Sequence, residues 1–279
     1  MTEIIRKKLS DSAGARWTAL LIVAFTMMMG YFITDVMSPL EVILETSKEQ
    51  GGLGWSSSDY GFFAGSYGLI NVFMLMLFFG GIILDKMGIR FTGVMASGLM
   101  VVGVIIKYFG VTTDFGDSKF TLDFVNFSLP MSAAIASLGF AIFGVGCEIC
   151  GITISKIITK WFTGHELALA MGVQVGLARL GTTAAMAGSL PLAKAFGNHV
   201  SAPILLGLVL LIAGFLAFIV YTVMDKKLDA STGEVTGNVS DEDEGFHFAD
   251  LKFIFTNPGF WCITLLCLMF YSGVFPFLK

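Results

Sequence analysis

Two ionisable residues stand where nothing soluble explains them: Glu148 inside the apolar run Pro130–Ser155 and Arg179 inside Leu167–Leu190. A charge held in a bilayer costs about 2.5–3.5 kcal/mol on insertion scales, so such residues face a cavity or one another. Counted at 1.5 Å of helix rise, Glu148 lies about 12 Å from the inner end of its run, and Arg179 about 18 Å into its own. A long Arg side chain covers the difference. A guanidinium takes a carboxylate with two parallel hydrogen bonds, and a carboxylate takes an ammonium, so the pair suits a zwitterion such as an amino acid or small peptide. Two other readings stay open. The pair is a structural ion bridge between neighbouring helices, or Arg179 alone holds a carboxylate while Glu148 carries a coupling proton.

Other reactive types form no constellation. Cys147 and Cys150 are one turn apart within a span and read as small packing residues; Cys262 and Cys267 are five apart in another. His165, His199 and His247 fall in loops. No phosphate-binding loop, metal-ligand spacing or nucleophile elbow occurs, so no enzyme activity, cofactor, metal or nucleic acid is expected. Asp35, at the outer end of the first span, is solvated, caps the helix, or gates. Asn126-Phe127-Ser128 is a glycosylation sequon, and Asp241–Glu244 reads as a solvated acidic run.

The elements that position these residues must be membrane spans. Of 279 residues 55% are hydrophobic and only 14% charged, with 27 Phe and 33 Gly, whereas a soluble domain is about one quarter charged. Mean hydropathy of +0.81 makes the surface itself apolar. Six runs are long enough to cross a core of about 30 Å: Trp17–Met37, Tyr60–Leu84, Phe91–Phe109, Pro130–Ser155, Leu167–Leu190 and Ala202–Met224. A seventh starts at Asn257. The first span lacks a cleavage site and reads as retained. Lys and Arg set orientation. With the N-terminus inside, eleven bases flank the cytoplasmic side and four (Lys48, Lys107, Lys119, Lys194) the outer side. The reading is therefore a cytoplasmic N-terminus at 1–16, a six-helix bundle at 17–224, a polar cytoplasmic linker at 225–256 and the start of a second bundle at 257–279. The linker is too poor in apolar residues to fold alone, except that 246–255 suits a short helix lying on the membrane. Six spans, a linker and a new span are the layout of a two-halved carrier, and the second half of the same polypeptide is an expected partner, with lipid and a small-molecule substrate.

Between the second and third spans stands Gly81-Ile82-Ile83-Leu84-Asp85-Lys86-Met87-Gly88-Ile89-Arg90. Gly81 would admit a neighbouring helix, Gly88 the tight reversal, and Asp85 would cap the next helix or accept from Arg90. Lys86 and Arg90 would hold the loop at the cytoplasmic face. The segment resembles the signature loop of the major facilitator superfamily, which implies an all-α membrane fold and a latch between two halves that rock in alternating access. Lys160-Trp161-Phe162 with Glu166–Gly172 is similar to that superfamily's link between spans four and five. Gly172 and Gly176, like Gly61 and Gly65, would give tight packing faces.

Four stretches resemble the lysosomal dipeptide transporter branch: Tyr31-Phe32-x-x-Asp35 before Pro39-Leu40, Gly144-x-Gly146-Cys147-Glu148, Gly176–Gly181, and Tyr271-x-x-Val274-Phe275-Pro276-Phe277. That resemblance implies that Glu148 and Arg179 bind the termini of a dipeptide, with Tyr31 and Tyr271 as cavity walls. No acidic dileucine precedes the first span, so a plasma or bacterial inner membrane is the expected location. The alternative within transport is a proton-coupled carboxylate carrier of the oxalate/formate type. More remote are a non-transporting sensor and a seven-helix receptor with Lys279 as a Schiff base.

Overall fold

A computed structural model describes residues 9–47, 52–122, 127–232 and 250–278. Lys48, Asn126, Asp241–Glu244, His247 and Lys279 lie outside the described residues. The chain divides into two units, Met1–Asn238 and Val239–Lys279, each taken by itself.

In the first unit, helix α1 (Ala13–Asp35) is followed by a 3-10 turn at Ser38–Leu40 and the short α2 (Glu41–Glu45). Helix α3 (Ser57–Phe73) starts on a capping box: the Ser56 hydroxyl accepts from the Asp59 backbone N–H, and the Asp59 carboxylate accepts from that of Ser56, which satisfies two end donors at once. Helix α4 (Met76–Thr112) leads to the antiparallel hairpin β1 (Lys119–Leu122) and β2 (Phe127–Pro130), with Lys119 opposite Pro130 and Leu122 opposite Phe127. Three long helices complete the unit: α5 (Met131–Phe162), α6 (Leu167–Ala195) and α7 (Ser201–Thr232). The second unit holds α8 (Asp250–Thr256), which overlaps the stretch expected on the membrane, and α9 (Pro258–Leu278).

Among the described residues five helices are long and apolar enough to cross a membrane, those within 13–45, 76–112, 131–162, 167–195 and 201–231, and Pro258–Gly273 forms a shorter apolar helix. The difference from the expected six lies in the second run. Tyr60–Leu84 is not one helix: α3 ends at Phe73, and Leu75 takes a left-handed backbone (φ 49°, ψ 37°) before α4 begins. No Pro or Gly stands in 70–76, so hydropathy could not show the break. The reversal after it does sit at Gly88, whose φ of 76° and ψ of 170° interrupt α4; only glycine adopts that region readily.

Backbones meet closely between the second arm of α4 and α5. A Cβ on Gly103 would fall 2.4 Å from the Phe143 nitrogen, and one on Gly139 would fall 2.4 Å from that of Lys107, so both positions require hydrogen. Among the described residues nothing lies within 4 Å of a Cβ on Gly61, Gly65, Gly81, Gly172 or Gly176, while one on Gly80 meets Ile149. Spacing identifies a small-residue face without saying which way it points.

Candidate functional site

Glu148 and Arg179 are brought to one level by α1. A Cβ on Gly30 would stand 3.5 Å from the Cys147 sulfur, while the next residue, Tyr31, carries the Arg179 guanidinium over its ring at 5.3 Å from the centroid. Helices α1 and α6 lie side by side in parallel, tied again where the Thr182 hydroxyl donates to the Asp35 carboxylate at 2.8 Å and where Arg16 reaches Glu166 at 3.3 Å. On the α5 side, the Tyr67 hydroxyl donates to Glu148 Oε1 at 2.7 Å. Glu148 is half-buried and Arg179 exposed.

The two charges do not neutralise each other: the ion pairs among the described residues do not include Glu148 with Arg179. Each is instead held by a tyrosine, so the bridge reading has no geometric basis here. Asp35 is not solvated; it is 8% exposed and bonded to Thr182. Tyr271 lies on α9 in the second unit, partly exposed. A cavity of about 690 Å³ lies elsewhere, lined by the end of α4, the hairpin and Gly52–Gly54.

Lys107, placed by the sequence in an outer loop, is fully buried in α4. Its ammonium donates to the Ile33 carbonyl at 3.1 Å and lies over the Phe140 and Phe63 rings at 4.5 and 5.4 Å. Ile33 is in the last turn of α1, where carbonyls lack helical partners, so Lys107 caps α1 from another helix. A lysine five residues before a helix end looks like a flank in a sequence; nothing marks it as internal.

The signature loop is held differently from the expected Asp85–Arg90 contact. Asp85 accepts from Lys156 at 2.7 Å, leaving Arg90 free to reach α7. There Asp225, fully buried, accepts from Arg90 Nε at 2.7 Å, Lys160 Nζ at 2.9 Å, Trp161 Nε1 at 3.2 Å and Tyr221 Oη at 3.1 Å. Asp229 adds ion pairs to Arg90 and Lys160. A buried carboxylate is tolerable only when paired and bonded in this way. Both acids fall in the stretch that composition reads as linker, but α7 runs on to Thr232 because these contacts replace solvent. Lys86 is exposed. Beside the network, Glu166 is held below the usual carboxylate range by its own backbone N–H and then by Arg16.

A helical, multi-pass membrane protein with a Gly–Asp–Gly–Arg loop and opposed intramembrane charges is thereby defined. The sequence matches the Major Facilitator Superfamily over residues 20–279, and the chain belongs to that family. It is similar to the lysosomal dipeptide transporter MFSD1 of Danio rerio, 26% identical over 218 residues, which are 74% of this chain and 42% of the relative. The Bos taurus protein of the same name is 23% identical over 273 residues, 94% of this chain and 52% of the relative, and the Homo sapiens one 24% over 214 residues, 74% and 41%. The chain thus spans about half the length of these relatives.

Proposed function

We propose that this chain forms one half of an alternating-access carrier for a small zwitterion, a dipeptide or amino acid. One observation carries the reading: an intramembrane carboxylate and guanidinium at the same level of α1, each steadied by a tyrosine and neither bridged to the other. Opposed charges left apart inside a membrane need a ligand that carries both signs. Glu148 receives the ammonium, Arg179 receives the carboxylate in a bidentate grip, and Tyr31 orients Arg179. The names of the relatives support the dipeptide as the first substrate to test. Asp35, tied to Thr182, takes part in gating by locking the outer ends of α1 and α6. The Gly81–Arg90 loop acts as the latch that favours one end state.

The test is thermal stability of the intact protein in detergent against dipeptides, amino acids and simple carboxylates. A ligand at a hundred times its Kd adds about 2.7 kcal/mol. Stabilisation by dipeptides, abolished by Arg179→Ala and by Glu148→Gln, is the expected result. Stabilisation by simple carboxylates alone, surviving Glu148→Gln, would replace the zwitterion with an anion carried by Arg179.

A further inference from the structure

Helices α3 and α5 run in parallel in a constant register. The Trp55 indole donates to the Ser132 hydroxyl at 2.9 Å. Phe63 stacks on Phe140 at 4.8 Å, and a Cβ on Gly144 would fall 2.3 Å from the Tyr67 carbonyl oxygen. Each pair is separated by the same 77 residues. One turn further along both helices, that register sets Asn71 beside Glu148.

The Asn71 side chain has one unused half. Its Nδ2 donates to the Tyr67 carbonyl at 3.4 Å. A carbonyl only accepts, so the amide nitrogen must face it and the oxygen must face away. That oxygen, Oδ1, is buried and accepts no hydrogen bond among the described residues. A buried acceptor left without a donor is unfavourable, and an asparagine on an apolar helix is kept there by something that donates. Next to it, Glu148 has Oε1 occupied by the Tyr67 hydroxyl, while Oε2 meets no donor among the described residues. The register therefore brings two acceptor-bearing residues, one charged and one neutral, to the end of the α3–α5 seam.

We propose that Asn71 is a substrate-binding residue that, with Glu148, accepts two of the three N–H bonds of the substrate's ammonium group. The assignment rests on the zwitterion reading and names its amine subsite. A neutral acceptor beside a carboxylate distinguishes an ammonium from a bare cation by direction, and it excludes an amine whose hydrogens have been replaced. Asn71 thus makes the site selective for a free N-terminus.

The experiment measures binding of three probes to the intact protein in detergent: alanylalanine, its N-acetyl derivative and its C-terminal amide. In Asn71→Leu, affinity for alanylalanine and for the amide should fall about tenfold, with the weak binding of the acetylated probe unchanged, so that discrimination for the free amine collapses. Asn71→Asp keeps the acceptor and should retain that discrimination. Equal losses for all three probes in Asn71→Leu, no loss for any, or loss of amine binding in Asn71→Asp would overturn the assignment. Alanylalanine binding that needs Glu148 and Arg179 but not Asn71 removes the Asn71 role and leaves the zwitterion reading standing. Absence of binding by every amine-bearing probe, with simple carboxylates still bound, removes both.

Discussion

Asp225 and Arg179 show how one ionised side chain reads differently by its surroundings. Asp225 has no solvent exposure and is surrounded by donors from α4, α5 and α7. Asp225→Ala would remove the buried acceptor that Arg90, Lys160, Trp161 and Tyr221 share, leaving Asp229 as the remaining partner of Arg90 and Lys160, and breaking such a buried pair lowers stability by about 3–5 kcal/mol. Thermal melts of the detergent-solubilised protein check it; an unchanged melting temperature would mean that the network contributes nothing net. Arg179, exposed and stacked on Tyr31, makes no comparable contribution to the fold. Arg179→Lys keeps the charge but loses the planar fork, so substrate affinity should fall about tenfold or more while the melting temperature of the ligand-free protein holds. A Lys variant that binds as well as the original would show that Arg179 acts only as a point charge.

At the scale of elements, two glycine positions decide whether the helices can be where they are. Gly88 turns the chain between the two arms of α4 at φ 76°, and Gly88→Ala should lower stability by about 1–3 kcal/mol, because a Cβ is strained there. Little change in a melt would mean that this backbone relaxes without the rest of the protein. Gly103→Leu inserts a branched side chain where backbone atoms of α5 stand 2.4 Å from the Cβ position. The expected outcome is failure of α4 and α5 to pair, seen as aggregation on size-exclusion chromatography, while Gly61→Leu, which meets open space, should behave as the original.

For the whole molecule, orientation is the property most open to a direct check. The excess of Lys and Arg on one side predicts a cytoplasmic N-terminus, which puts the β1–β2 hairpin on the opposite face. Moving Lys107 from the outer loop into the core of the unit, where it is fully buried, leaves three bases outside instead of four and strengthens that bias. A cysteine replacing Ser118, beside the hairpin, should react with a membrane-impermeant maleimide added to the non-cytoplasmic side and not with the same reagent added to the cytoplasmic side. Labelling from the cytoplasmic face would reverse the topology.

The sequence by itself determined what depends on composition and on short, local spacing. Apolar runs about twenty residues long impose helices that cross a membrane, since hydrocarbon tolerates no unpaired backbone. A glycine at the reversal between two spans follows from backbone sterics, and isolated charges such as Glu148 and Arg179 mark themselves by being out of place. Tertiary structure alone decided the rest, because it depends on which faces of the helices meet. That Glu148 bonds Tyr67 while Arg179 stacks on Tyr31, that Arg90 passes over Asp85 for Asp225 on α7, and that Lys107 caps α1 are pairings between residues 74 to 148 positions apart. No periodicity encodes them. The break at Leu75 and the register that places Asn71 beside Glu148 belong to the same class, since each is set by how α3, α4 and α5 fit against one another once the chain has folded.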